Sequence, residues 1–312
     1  MTWRLMTILS VLILILFLIG YCIFHHACRR RKKSSIKPSL LGPISEDQKA
    51  MIRDGRAWIQ SQEENMSTHQ IISSDGLRLR GRFLPAKNAK GTIILFHGYR
   101  SGSFNDFSCA FRMYHEFGLN IMAVDQRAHG DSEGKYICFG ARERFDCAAW
   151  AKYVDKMQEG KLPIFLGGIS MGATTVMLAS ELKMPKTVKG IIADCGFTSP
   201  WDIIRKVGRD MIKFDPAPFL YLANVFSLWL ANFDMKECAT VKALANTKLP
   251  VLFLHGEEDH FVPASMTKRS QKACASENEM LIVPNAGHGY SYLYAPEQCR
   301  NALYSFLEKY AK

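Results

Sequence analysis

PIFLGGISMGATTVMLASEL (residues 163–182) opens as an unbroken apolar run and continues with helical character, and Gly168-Ile169-Ser170-Met171-Gly172 sits at the junction. An apolar run without alternation fits a strand buried on both faces of a parallel sheet. Gly-x-Ser-x-Gly between such a strand and a helix predicts a tight turn that strains the serine backbone and exposes its hydroxyl. Gly168 and Gly172 are required because a Cβ would clash where strand and helix cross. The helix start behind Ser170 adds free N–H groups and the positive end of a dipole. A serine hydroxyl is a poor nucleophile, so this reading demands a base and an acid elsewhere in the chain.

Similar runs lie on both sides of this stretch. Strands are expected at TIILFHG (92–98), NIMAVD (120–125), VKGIIAD (188–194), PVLFLHG (250–256) and EMLIVP (279–284), and HQIISSDGLRLRGRFLP (69–85) reads as two strands around a Ser-Asp-Gly turn. Helix-like segments separate the runs, among them FNDFSCAFRMYHEFG (104–118) and ARERFDCAAWAKYVDKM (141–157). Alternating β and α predicts an α/β fold, a mostly parallel sheet with helices on both faces. One connection is too long for a single βα unit. The segment of about 197–247 carries Trp201, Phe214, Phe219, Tyr221, Phe226 and Trp229. It is expected to form a helical cap over one sheet edge and to offer an apolar acyl group its site.

The base and acid have candidates just past strand ends, where open α/β sheets place their sites. His288 follows the last run, flanked by Gly287 and Gly289. Glu257, Glu258 and Asp259 follow the run before it, and any of the three fits the order serine, acid, histidine. The N–H of Met171, next after the serine, is expected to hold an oxyanion, with a second donor from the loop after TIILF, assigned to Tyr99. His97, His129 and His255 read as hydrogen-bonded turn or loop residues. His260 follows the acid and is read as structural.

The N-terminus is of another kind. Leu5 to Phe24 is a run of 20 residues without a charge. At 1.5 Å per residue it spans roughly 30 Å, the thickness of a bilayer core. HHACRRRKK follows it, and no small-x-small cleavage site does. A single transmembrane anchor is expected. Six Lys/Arg follow the run and only Arg4 precedes it, which predicts a cytoplasmic catalytic domain at the cell membrane. The chain's net charge of +11 is concentrated here, because residues 1–37 carry seven Lys/Arg and no acid. The basic balance therefore belongs to the membrane flank, and no nucleic-acid partner is expected. The nine cysteines are scattered without a CxxC pair, so neither a disulfide framework nor a zinc site is implied. Domain organisation reads as 1–37 anchor and basic flank, 38–68 linker and helix, and 69–312 catalytic domain.

FHGYRSG (96–102), DQRAHGDSEG (125–134), GGISMGA (167–173), IADCGF (192–197), LHGEEDHFVP (254–263) and NAGHG (285–289) stand in family order. On these motifs residues 69–310 resemble the α/β-hydrolase superfamily. Within it they are similar to membrane-anchored bacterial hydrolases of the serine aminopeptidase and monoacylglycerol-lipase branch, and to the eukaryotic Bem46-like proteins. The family pattern His-Gly-x-x-Asp-x-x-Val-Pro falls on His255, Gly256, Asp259, Val262 and Pro263, and so singles out Asp259. The resemblance implies serine hydrolase chemistry and leaves the substrate unassigned. With Ser170, Asp259 and His288 as its triad, the chain is expected to cleave an ester, a thioester or an amide without metal or organic cofactor, and the aromatic insert and the anchor suggest a small-molecule or lipid-like acyl substrate. A peptidase or an acyltransferase would use the same three residues, and a non-catalytic hydrolase-fold binding protein is the alternative outside enzymes.

Overall fold

The computed structural model describes residues 2–31 and 42–311. Eight strands form one sheet: β1 (Ser67–Ile72), β2 (Arg78–Leu84), β3 (Gly91–Phe96), β4 (Leu119–Val124), β5 (Ile164–Ile169), β6 (Val188–Asp194), β7 (Val251–Gly256) and β8 (Asn278–Val283). Their spatial order is β1-β2-β4-β3-β5-β6-β7-β8. The β1–β2 and β2–β4 pairs are antiparallel and all others parallel. Every residue of β3, β4, β5 and β7 is buried, which explains their unbroken apolar sequence.

Among the described residues twelve α-helices accompany the sheet. Two precede it: α1 (Thr2–Cys28) and α2 (Glu46–Ser61). Five more stand between β3 and α8: α3 (Ser103–Asp106), α4 (Phe111–Phe117), α5 (Glu143–Met157), α6 (Met171–Ala179) and α7 (Pro200–Ile212). They are followed by α8 (Ala217–Ala231), α9 (Thr240–Leu244), α10 (Ala264–Ala273), α11 (Ser291–Tyr294) and α12 (Pro296–Tyr310). The stretch 104–118, expected as one helix, is divided into α3 and α4. Gly118 ends α4 in the left-handed region at φ 97°, which suits a residue without Cβ.

α2 begins in a capping box, with Ser45 accepting from the Gln48 N–H and the Gln48 side chain accepting from the Ser45 N–H. It seats against the domain without clearance, since a Cβ at Gly55 would stand 2.1 Å from the Ser108 carbonyl oxygen. The long insert folds as α7, α8 and α9. α8 lies along α1, with the rings of Phe17 and Phe226 at 4.6 Å and those of Tyr21 and Phe226 at 5.4 Å.

α1 is long and apolar enough to cross a membrane by length and composition. Its C-terminal end is also fixed to the domain. The Ile137 N–H donates to the Cys28 carbonyl, and the Arg30 N–H donates to that of Lys135. Lys32, Lys33 and Lys37 of the basic flank, and most of the linker, lie outside the described residues.

Candidate active site

The turn between β5 and α6 has the geometry that its sequence predicts. Ser170 sits at φ 56° and ψ −115°, outside the ordinary regions for a residue with a Cβ. Such strain is stored where surrounding structure fixes it. Here the Ser170 N–H donates to the Asp194 carbonyl at 2.8 Å. A Cβ at Gly168 would lie 2.3 Å from the Gly172 carbonyl carbon, and one at Gly172 would lie 1.8 Å from the Phe96 carbonyl oxygen. Neither position admits a side chain.

β7 and β8 bring the expected partners to this serine. His288 Nε2 lies 2.9 Å from Ser170 Oγ, and His288 Nδ1 lies 2.6 Å from Asp259 Oδ2. A carboxylate only accepts, so Nδ1 carries the proton and Nε2 offers its lone pair to the serine hydroxyl. Asp259 is held in turn, because its Oδ1 accepts from the N–H groups of Phe261 at 3.0 Å and Val262 at 2.8 Å. Glu257 and Glu258 point away, both exposed.

The electrostatics follow from these contacts. Burial alone would raise the Asp259 carboxyl, but His288 and His255 outweigh it and hold the group below the usual carboxylate range. Burial alone would lower His288, but the Asp259 carboxylate outweighs it and raises the imidazole above its ordinary value. Cys195, Asp259 and His288 each place a potential metal-ligating atom within 4.8 Å of the others. Asp259 Oδ2 and His288 Nδ1 are already committed to each other at 2.6 Å.

The two residues expected to hold an oxyanion lie beside Ser170. Met171 is the first residue of α6, where an N–H has no acceptor within the helix. The loop after β3 packs on the serine, since a Cβ at Gly98 would lie 3.3 Å from Ser170 Cβ. Its neighbours' N–H groups are occupied: Gly98 donates to Asp106 Oδ2 at 2.6 Å and Arg100 to His129 Nε2 at 2.9 Å. The Tyr99 N–H has no partner among the described residues.

A cavity of about 320 Å³ opens onto Ser170 and His288. Its wall includes Ile52 and Arg56 of α2 together with Tyr99, Asp106 and Tyr290. The helical insert is present, yet none of the residues lining this cavity comes from it. The expectation that its aromatic groups surround the acyl site is therefore corrected. α8 spends its inner face on α1, and α2 forms the cavity wall instead.

His97 and His129 bond to loop backbone, as their sequence context implies. His260 is exposed beside Glu258. His255 does more than end a strand, because its Nε2 lies 3.2 Å from Asp259 Oδ2 as well as 2.8 Å from the Val262 carbonyl. Its place in the His-Gly-x-x-Asp pattern was the available signal. The cavity residues of α2 carried none.

A strained serine at a strand-to-helix turn, on a mostly parallel sheet, defines the α/β hydrolases. Family models agree along the chain: residues 87–214 match "Serine aminopeptidase, S33", and residues 232–310 match "TAP-like protein". The uncharacterized protein YqkD of Bacillus subtilis is 25% identical over 82% of this chain and 84% of its own length. The Pyrococcus furiosus esterase Pf2001 superposes with a TM-score of 0.63 at 23% identity, over 79% of this chain and 93% of that one. A membrane phospholipase A described as a bacterial virulence factor superposes with a TM-score of 0.59 at 17% identity, over 84% and 92%. The chain belongs to the α/β-hydrolase superfamily.

Proposed function

We propose that the protein is a membrane-anchored serine hydrolase that cleaves carboxylic esters, lipid-like acyl esters among them, through an acyl-Ser170 intermediate. The carrying observation is the hydrogen-bonded chain from Ser170 through His288 to Asp259 at the floor of an open cavity. His288 takes the serine proton as Oγ attacks the ester carbonyl. The N–H groups of Met171 and Tyr99 hold the oxyanion. His288 then gives its proton to the leaving alcohol and activates water for deacylation. Asp259 holds the imidazole in its tautomer and offsets the charge it gains, without taking the proton.

A lipid-like substrate is supported by the link that Tyr99 makes between the cavity and α1. Tyr99 lines the cavity and donates its hydroxyl to the Ala27 carbonyl at 2.7 Å. The cavity thus adjoins the end of the apolar helix. The esterase and phospholipase neighbours are consistent with ester chemistry. Peptidase action is the second reading, favoured by the aminopeptidase family model. An aminopeptidase needs a free carboxylate for the substrate ammonium. Here Asp106 is occupied by the Gly98 N–H and the Ser101 hydroxyl, and Arg56 brings a like charge.

A fluorophosphonate probe should label the full-length protein and fail on Ser170→Ala, since only an activated serine reacts. Equal labelling of the variant would remove Ser170 from the role. Turnover of acyl esters against aminoacyl amides then separates esterase from peptidase. The basic balance after the apolar run supports a cytoplasmic catalytic domain. External protease on intact cells should spare residues 69–310, and their digestion would reverse the orientation.

A further inference from the structure

Outside α1, eight large apolar residues stand exposed among the described residues, and seven of them fall between positions 211 and 229. They are Met211, Ile212 and Phe214 at the α7–α8 corner and Tyr221, Val225, Leu228 and Trp229 on α8, with Ile72 the eighth. Scattered singly they would need no explanation, but a cluster of this size marks a contact surface. The α8 members recur at helical spacing and form one outward stripe. α8 carries no charged residue, and its inward Asn224 is occupied by Asp234, Ser227 and the Met235 N–H.

What covers the stripe is indicated by α1. Phe17, Tyr21 and Phe24 of α1 pack on Phe226, and Gly20 packs so closely on Leu222 that a Cβ there would lie 2.7 Å from Leu222 Cβ. Those α1 positions belong to its uncharged run. A helix lying side by side with them shares their depth. On the reading of α1 as a spanning helix, the outer stripe of α8 cannot face water.

We infer that the outer stripe of α8 enters the leaflet beside α1 as a second, non-spanning membrane element, while the exposed Arg209, Asp210, Lys213 and Asp215 keep the α7–α8 corner at its polar boundary. The occupant of the stripe is lipid acyl chain. The domain is then held at two points, and the cavity that adjoins Tyr99 faces the bilayer surface at a fixed distance.

The test uses full-length protein in phosphatidylcholine vesicles with and without bromine on the acyl chains, and reads tryptophan quenching. Trp3 reports α1 and Trp229 reports α8. Trp3→Phe and Trp229→Phe should each remove a separate part of the quenched emission. If Trp229→Phe leaves the quenching intact while Trp3→Phe reduces it, the second element is wrong and the anchor stands. If neither changes the quenching, the spanning helix fails and this inference with it. Leu228→Glu provides the second measurement. It should shift Trp229 emission to the red and lower turnover of vesicle-borne ester several-fold, leaving soluble p-nitrophenyl acetate turnover unchanged. Cross-linked dimers with Trp229 shielded from bromine would assign the stripe to a second copy and overturn the inference.

Discussion

Neighbouring strands β6 and β7 each deliver a buried carboxylate to the same end of the sheet, and the two groups are shifted in opposite directions. Asp259 has four donors or cationic partners: two N–H groups on Oδ1 and the imidazoles of His288 and His255 on Oδ2. Asp194 has the Ser291 hydroxyl on Oδ1 at 2.9 Å, and its Oδ2 is buried with no partner among the described residues. Burial raises Asp194 to about 6, whereas Asp259 stays below the usual carboxylate range. Their depth is nearly equal, at 1% and 3% exposure, so depth does not decide the charge state. The number and kind of donors does.

The comparison is broken most directly by exchanging the carboxyl groups for amides. Asp259→Asn should lower kcat by on the order of 10⁴, because His288 loses its tautomer and orientation. Asp194→Asn should leave kcat within a few-fold in the same ester assay. A crippled Asp194→Asn with an active Asp259→Asn would reverse the assignment.

His255 sharpens the contrast, since Asp194 has no counterpart to it. His255→Gln removes the imidazole that stands 3.2 Å from the Asp259 carboxylate, so kcat/KM should fall several-fold. Unchanged kinetics would leave His255 a packing residue only.

Protonation gives a third measure. His288 must be neutral to accept the serine proton, and its value is raised above 6.5. Wild-type kcat/KM should therefore climb with pH through a midpoint above 6.5. In Asp259→Asn the residual activity should climb at lower pH, because the raising carboxylate is gone. A limb that does not move would separate His288 from Asp259.

Asp194 carries the smallest effect, and it is one of stability. Its folded value of about 6 exceeds the ordinary aspartate value of 3.8, so the stability linked to its proton is complete below about 3.8 and is lost as pH rises through about 6. Asp194→Asn keeps a neutral group at every pH. It should stabilise the protein at pH 8 by on the order of 2 kcal/mol, with the advantage vanishing near pH 4, as read by denaturant titration at both values.

What the sequence made legible has a common cause. Ser170 and His288 declare themselves because their chemistry depends on immediate neighbours: a glycine on each side of a crossing, or of a reaching loop. The parallel strands declare themselves because burial on both faces leaves no polar position in the run. Asp259 needed the family pattern, since Glu257 and Glu258 satisfy the same local reading. Ile52 and Arg56 gave no signal, because their place in the cavity wall depends on α2 docking across more than 40 residues onto the Ser108 carbonyl. The insert was legible as helices but not as a partner of α1. An amphipathic or wholly apolar helix states that it must be covered, and not by what.

The joint between α1 and the domain has a mechanical consequence. Arg100 donates to the His26 carbonyl at 2.6 Å and to that of Arg29 at 3.2 Å, while Tyr99 holds Ala27. These are the carbonyls that a helix end leaves for water or lipid headgroups. The same two residues belong to the loop lying against Ser170. α1 is thus less a leash than an axle. A domain on a leash samples every heading, whereas on the proposed reading of α1 as an anchor this one would turn only as its helix turns and would meet substrate by travelling within the plane of the membrane. Severing the chain after residue 37 would free the domain, and it would also take away the bearings on which the Tyr99 loop rests.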